Sequence, residues 1–368
     1  MRPRAPRLTI AAALLVGPAA VVVACSEDDA APAVSVDAVP DASVLGLDVT
    51  SGVDAGADVV DARPACAPLA ATGHTKLSET GLYEDIGAKQ VACDVIPFEP
   101  EFKLWSDAAE KKRWVRLPPG TTIDTTDPDH WVLPVGAQLF KEFSLNGKRL
   151  ETRLVERVGG TGQPSKDYFL GAFVWNDDES DADFVPAGAE NVRGTPHDVP
   201  AAGQCLTCHL GEPGRALGFS ALQLSHDGVL EDLHARGLLA ALEPKRVPGS
   251  DRERSALGYL HANCGHCHNV NGSAWPDTQM VLRVGYGEAS VTDTLLFEST
   301  VGVALQSFSQ PGVTKRIAPG DPDASCVAYR PAVRGDAGAM PPIATELTDD
   351  AGVAVIRAWI ASLDAGAP

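Results

Sequence analysis

Two periodicities divide the chain. Between Arg113 and Trp175, apolar and polar residues alternate in short runs closed by Gly, Pro and Asn. Alternation at period two predicts strands at Arg113–Leu117, Gln138–Leu145, Arg149–Val158 and Tyr168–Trp175. Asn146-Gly147 stands between the middle two and predicts a tight hairpin. Many short strands with such punctuation predict a β-sandwich or a related sheet. Past residue 200 the apolar positions recur three and four apart. Ser250 and Glu253 have capping-box spacing and precede Ala256, Leu257 and Leu260 on one helical face. Cys264 lies one turn further along that face. A helix is expected from Asp227 to Arg236, stopped by Gly237. A closing helix is expected after Thr348 as N-cap, with Val353, Ile356, Ile360 and Leu363 as its buried stripe. Thr278–Val284 alternates and reads as one more strand.

The ends of the chain change the picture. Arg2, Arg4 and Arg7 precede an apolar run from Leu8 to Val23, the form of an export signal. The run is short and contains Gly17 and Pro18, which argues against a spanning helix. Val22-Val23-Ala24-Cys25 resembles a bacterial lipobox. That resemblance implies cleavage of residues 1–24 and lipidation of Cys25, and Ser26 rather than an aspartate after the cysteine resembles the sorting pattern of an outer-membrane anchor facing the periplasm. Residues 25–65 form an Ala/Asp/Pro-rich tether. From Ser26 to Pro64, nine acidic residues face one basic residue, Arg63, a self-repelling composition without a core. The full chain of 368 residues carries a net charge of -19, the wrong sign for a nucleic-acid surface. What remains is long enough for two or three domains.

The chemistry sits in two copies of one pattern, Cys205-Leu-Thr-Cys208-His209 and Cys264-Gly-His-Cys267-His268. Cys-x-x-Cys-His is the pattern for a covalently attached c-type haem: two thiols form thioethers and the histidine ligates iron. A four-cysteine zinc site places its pairs roughly 15–20 residues apart. Here 55 residues separate Cys208 from Cys264, and zinc gives no reason for a histidine after each pair. Disulfides within each pair are disfavoured by geometry. Met340 lies 72 residues beyond His268 in Ala339-Met-Pro-Pro342, a stiff loop suited to presenting a sulfur as sixth ligand. For the first haem, Met280, His226, His234, His261 and an open position all remain candidates. The acidic loop Asp177–Asp183 lacks the glycine and glutamate of an EF-hand and reads as a solvated turn. Of eight cysteines, Cys66 and Cys93 are expected to form a disulfide in an oxidising compartment, leaving Cys326 as a buried thiol.

Trp105-Ser-Asp107, Lys112-Arg-Trp114, Trp175-Asn-Asp-Asp178 and Leu77-Ser-Glu-Thr-Gly-Leu82 accompany these motifs. With Gly203–His209, Tyr259–His268 and Met340-Pro-Pro342, the chain resembles a family of exported bacterial dihaem c-type cytochromes, in lipoprotein form. The expectation is a multidomain α+β protein. An N-terminal all-β, sandwich-like domain spans 66–199. An α-helical dihaem cytochrome c-like region spans 200–368, with the first haem in 200–247 and the second in 248–368. The expected activity is electron transfer through two covalent haems to a redox partner protein. The alternatives are a dihaem peroxidase or oxidase with an open first haem, and an electron-accepting subunit of a partner dehydrogenase. Trp105, Trp114, Trp131 and Trp175 are read as core rather than as a binding face.

Overall fold

The computed structural model describes residues 73–335 and 337–364. The export signal, Cys25, the acidic tether and Cys66 lie outside the described residues.

The alternating segments become one antiparallel meander. A small pair, β1 (Tyr83–Asp85) and β2 (Gln90–Val91), precedes it. The main sheet contains β3 (Ile96–Pro97), β4 (Glu110–Arg116), β5 (Gln138–Leu145), β6 (Lys148–Arg157), β7 (Tyr168–Trp175) and β8 (Ala182–Phe184), each paired with its sequence neighbours. Asn146 and Gly147 turn β5 into β6 with φ of 51° and 78°. Two successive left-handed residues match the twist of the strands they join, which is why Asn-Gly serves there.

Each face of the sheet has its own core. Val115, Leu139 and Val155 pack with Phe219, Leu224, Leu230 and Leu233 from the helical half. Trp114, Phe140, Leu154, Phe173 and Trp175 pack with Leu77, Leu82 and Tyr83. The second layer expected of a sandwich is therefore reduced to β1 and β2 on one face. Helical chain covers the other. The described residues belong to one compact unit, and the first core draws on both the 66–199 and the 200–368 segments.

The helix Asp251–Asn263 forms as its capping box predicts, with the Ser250 amide donating to the Glu253 carboxylate at 2.8 Å. Its Leu257 and Leu260 pack against Ile356, Trp359 and Ile360 of the closing helix Asp350–Ala361. The helices approach so closely that a Cβ on Gly352 would lie 2.1 Å from the Tyr259 ring. Two expectations need correction. The closing helix is capped by Asp349, whose side chain accepts from the Gly352 amide at 2.9 Å; Thr348 instead donates to Asp350. Thr278–Val284 is not a strand. Its amides are taken one by one: Val281 by the Ser299 hydroxyl, Leu282 by the His268 carbonyl, Val284 by His261 Nδ1. Those bonds replace a ladder and strap the segment to the second Cys-x-x-Cys-His motif.

Among the described residues, no helix is long and apolar enough to cross a membrane. Cys93 is disulfide-bonded and Cys326 is a free thiol. The partner expected for Cys93, Cys66, lies outside the described residues.

Candidate functional site

The first motif is a single turn of helix, Cys205–His209, and needs help to hold its shape. That help comes from Arg215, which is buried and in the left-handed region at φ 56°. Its guanidinium donates to the carbonyls of His209, Leu210 and Glu212 at 2.9, 2.6 and 3.1 Å. Its own carbonyl lies 2.5 Å from His209 Nδ1. A carbonyl can only accept, so Nδ1 carries the proton and the Nε2 lone pair is left for another partner. Burial pushes the His209 imidazole down to about 4, so it is neutral near pH 7.

The second motif is delivered by the long helix. The Cys264 amide still donates to Leu260 at 2.9 Å as the helix ends, and the His268 amide donates to Cys264 at 2.9 Å. Asn269 Nδ2 holds the loop between them through the Gly265 and His266 carbonyls at 2.7 and 3.2 Å. Gly272 is required by close approach: a Cβ there would sit 2.0 Å from the Cys267 carbonyl. His268 is buried and pushed down to about 4 by that burial. Its Nδ1 has no hydrogen-bond partner, unlike that of His209.

Tertiary structure brings the two motifs together. Cys267 Sγ donates to the Thr207 carbonyl at 3.1 Å, and the Ser273 hydroxyl donates to the same oxygen at 2.6 Å. Arg283, from the strap after the second motif, pairs with Glu212 after the first. Cys208, His266 and Cys267 offer ligand atoms within 4.8 Å of one another. A hydrogen bond between the sulfurs, with His266 assisting, pushes the Cys208 thiol down; the same bond pushes Cys267 up. Burial pushes Cys264 up to about 12 and also raises Cys205.

One cavity, with an empty volume of about 1870 Å³ that is partly open to solvent, is lined by every motif cysteine and both motif-ending histidines. Met340, Pro341 and Pro342 line it too, although they lie far along the chain. The loop is anchored by the Met340 amide on the Arg330 carbonyl at 3.1 Å and by Arg334 on the Met340 carbonyl at 3.2 Å. Met280 lines the same cavity and packs with Cys264 on the second core.

The three candidate histidines for the first haem do not line it. His226 bonds the Glu99 carbonyl and Asp227, His234 the Leu239 carbonyl, and His261 the Val284 amide. The carboxylates of the 177–183 loop are also engaged locally. Asp181 holds Ser78 and Asp183 pairs with Lys76, while Glu179 pairs with Arg149 and Arg193. Trp114, Trp131 and Trp175 are core, but Trp105 lines the cavity and donates to the Leu347 carbonyl at 3.0 Å. The sheet also contributes Arg113, Lys141 and Arg153, which motif reasoning passed over. Lys141 had a signal: it falls on the apolar side of β5, between Leu139 and Phe143.

The donor set fits two porphyrins in its chemistry: two spaced thiol pairs, each followed by a neutral imidazole, line one cavity with the Met340 thioether. No family model, curated protein or solved structure matches this chain.

Proposed function

We propose that this protein is a dihaem c-type cytochrome that passes electrons to and from a redox partner protein. In this reading Cys205 and Cys208 hold one haem by thioethers and Cys264 and Cys267 the other. His209 and His268 are the proximal ligands, and Met340 is the sixth ligand at the second. When bound, each haem supplies a one-electron ferrous–ferric couple. The chain's part is to hold and tune. Arg215 fixes the His209 tautomer, the apolar walls limit water, and the Met340 thioether favours the reduced iron. Lipid on Cys25 would keep this unit at the outer membrane, facing the periplasm. The observation that carries the reading is that two Cys-x-x-Cys-His motifs, distant in sequence, line one cavity together with Met340. Mass spectrometry of the protein from an exporting host with haem-attachment machinery tests it. Two haem additions are expected on the full chain. One addition or none rejects the assignment.

The closeness of Cys208, His266 and Cys267 favours a second reading, a site for one soft ion such as zinc. Stoichiometric zinc in haem-free protein from the same host would establish that reading instead.

A further inference from the structure

Strand register places three cations in one row. Arg113 on β4 faces Lys141 on β5, and Lys141 faces Arg153 on β6. Like charges directly opposite one another in a sheet destabilise it. These also lie on the face turned toward the helical half, beside the apolar row Val115–Leu139–Val155. All three line the cavity. Their compensation is partial. Arg153 is held by both oxygens of buried Glu151, which also binds His197 at 2.7 Å. Arg113 is 3% exposed, and its nearest carboxylate is the half-exposed Glu99 at 3.7 Å. Arg113 Nη1 has no hydrogen-bond partner. The Lys141 side chain has no hydrogen bond or ion pair among the described residues; it keeps some exposed surface, but as a lining residue it shows that surface to the cavity.

A row of cations in a poorly hydrated wall calls for an anion with more than one charge. The row shares the cavity wall with Cys205, Cys208 and His209. A haem carries two carboxylate side chains, and Arg pairs with carboxylates through parallel hydrogen bonds. We propose that the row Arg113–Lys141–Arg153 is an anion site that takes the carboxylates of the haem attached through Cys205 and Cys208. This rests on the dihaem reading above and gives the sheet a part in it. The sheet is one wall of the haem site and its charge complement. Without that anion, burial and the neighbouring Arg113, Arg153 and Lys111 push the Lys141 ammonium well below its ordinary value. The other walls contribute His266, Arg330 and Arg334, and Lys111 lies further along the same sheet face.

The test uses full-length holoprotein whose two haems have been counted by mass, in Lys141→Met and Arg113→Leu variants. Lys112→Met, on the opposite face of β4, is the control. Protonating a haem carboxylate removes negative charge and raises the midpoint potential as pH falls. Cations that hold the carboxylate ionised push that rise to lower pH. In both variants the rise at one haem should therefore begin about 1–3 pH units higher than in the parent. The potential at pH 7 should also fall, because a cation that disfavoured ferric iron is gone. The control should match the parent. Variants with both haems and an unmoved pH profile overturn the proposal alone. A first haem made high-spin and carbon-monoxide-binding by Lys141→Met, with the profile unmoved, overturns it in favour of Lys141 as an iron ligand. A parent protein without haem overturns the dihaem reading and this proposal with it.

Discussion

The two motifs share a pattern but not a way of being built. The second follows directly on a thirteen-residue helix with its own N-cap, and a closing helix packs on that helix's apolar face. Its loop is then held by Asn269 and by the Leu282 amide on the His268 carbonyl. The first is a five-residue turn between a sheet and a loop, held by Arg215 and walled by charged strands. A helix this short does not persist on its own, so its shape is a property of what surrounds it. The imidazole is neutral in both places, buried at His268 and half-buried at His209, but only His209 has a partner for Nδ1. The same five-residue pattern is thus held by short-range bonds from Arg215 in one place and by a preceding helix and a later strap in the other.

Three changes would break or sharpen this contrast, all aimed at the second motif's dependence on its helices. If the dihaem proposal holds, Met340→Ala should abolish the sulfur-to-ferric-iron charge-transfer band, lower one haem's potential and open that haem to carbon monoxide. Met280→Ala should do none of this at the same haem. Optical spectra of both variants decide it, and an unchanged Met340→Ala spectrum makes Met340 a packing residue.

Trp359→Ala comes next. Trp359 is fully buried between the two helices, and truncation of such a side chain typically costs ~3–5 kcal/mol. Urea unfolding should show that loss. At sub-denaturing urea the second haem should lose its low-spin spectrum while the first keeps its own. Simultaneous loss of both would mean that the two sites are not built independently.

The smallest effect is in pH. Burial pushes His261 down to about 3, below its ordinary value. In the unfolded chain the group takes up a proton near pH ~6.5, whereas the folded chain resists until near 3. Stability is therefore complete above the unfolded value and falls as pH drops through that window, by at most ~1.4 kcal/mol per pH unit. His261→Gln can still accept from the Val284 amide and should flatten part of the acid limb of an unfolding curve. An unchanged limb would place the acid sensitivity in His209 and His268 instead.

Much of this protein was determined by the sequence itself. Asn146-Gly147 set the hairpin, because few other residue pairs take two left-handed conformations in succession. Ser250 with Glu253 set the start of the long helix, because the capping contacts are local. The motifs carry the haem proposal through residue type and spacing. What depended on distance was decided by tertiary structure alone. Thr278–Val284 alternates like a strand, yet its amides found Ser299, His268 and His261 rather than a ladder. Asp349 displaced Thr348 as cap by a choice between two adjacent oxygens that propensity barely separates. The meeting of Cys208 with Cys267, the approach of the Met340 loop and the alignment of Arg113, Lys141 and Arg153 all join residues far apart along the chain. Such contacts are set by strand register and core packing, which no local window of sequence contains.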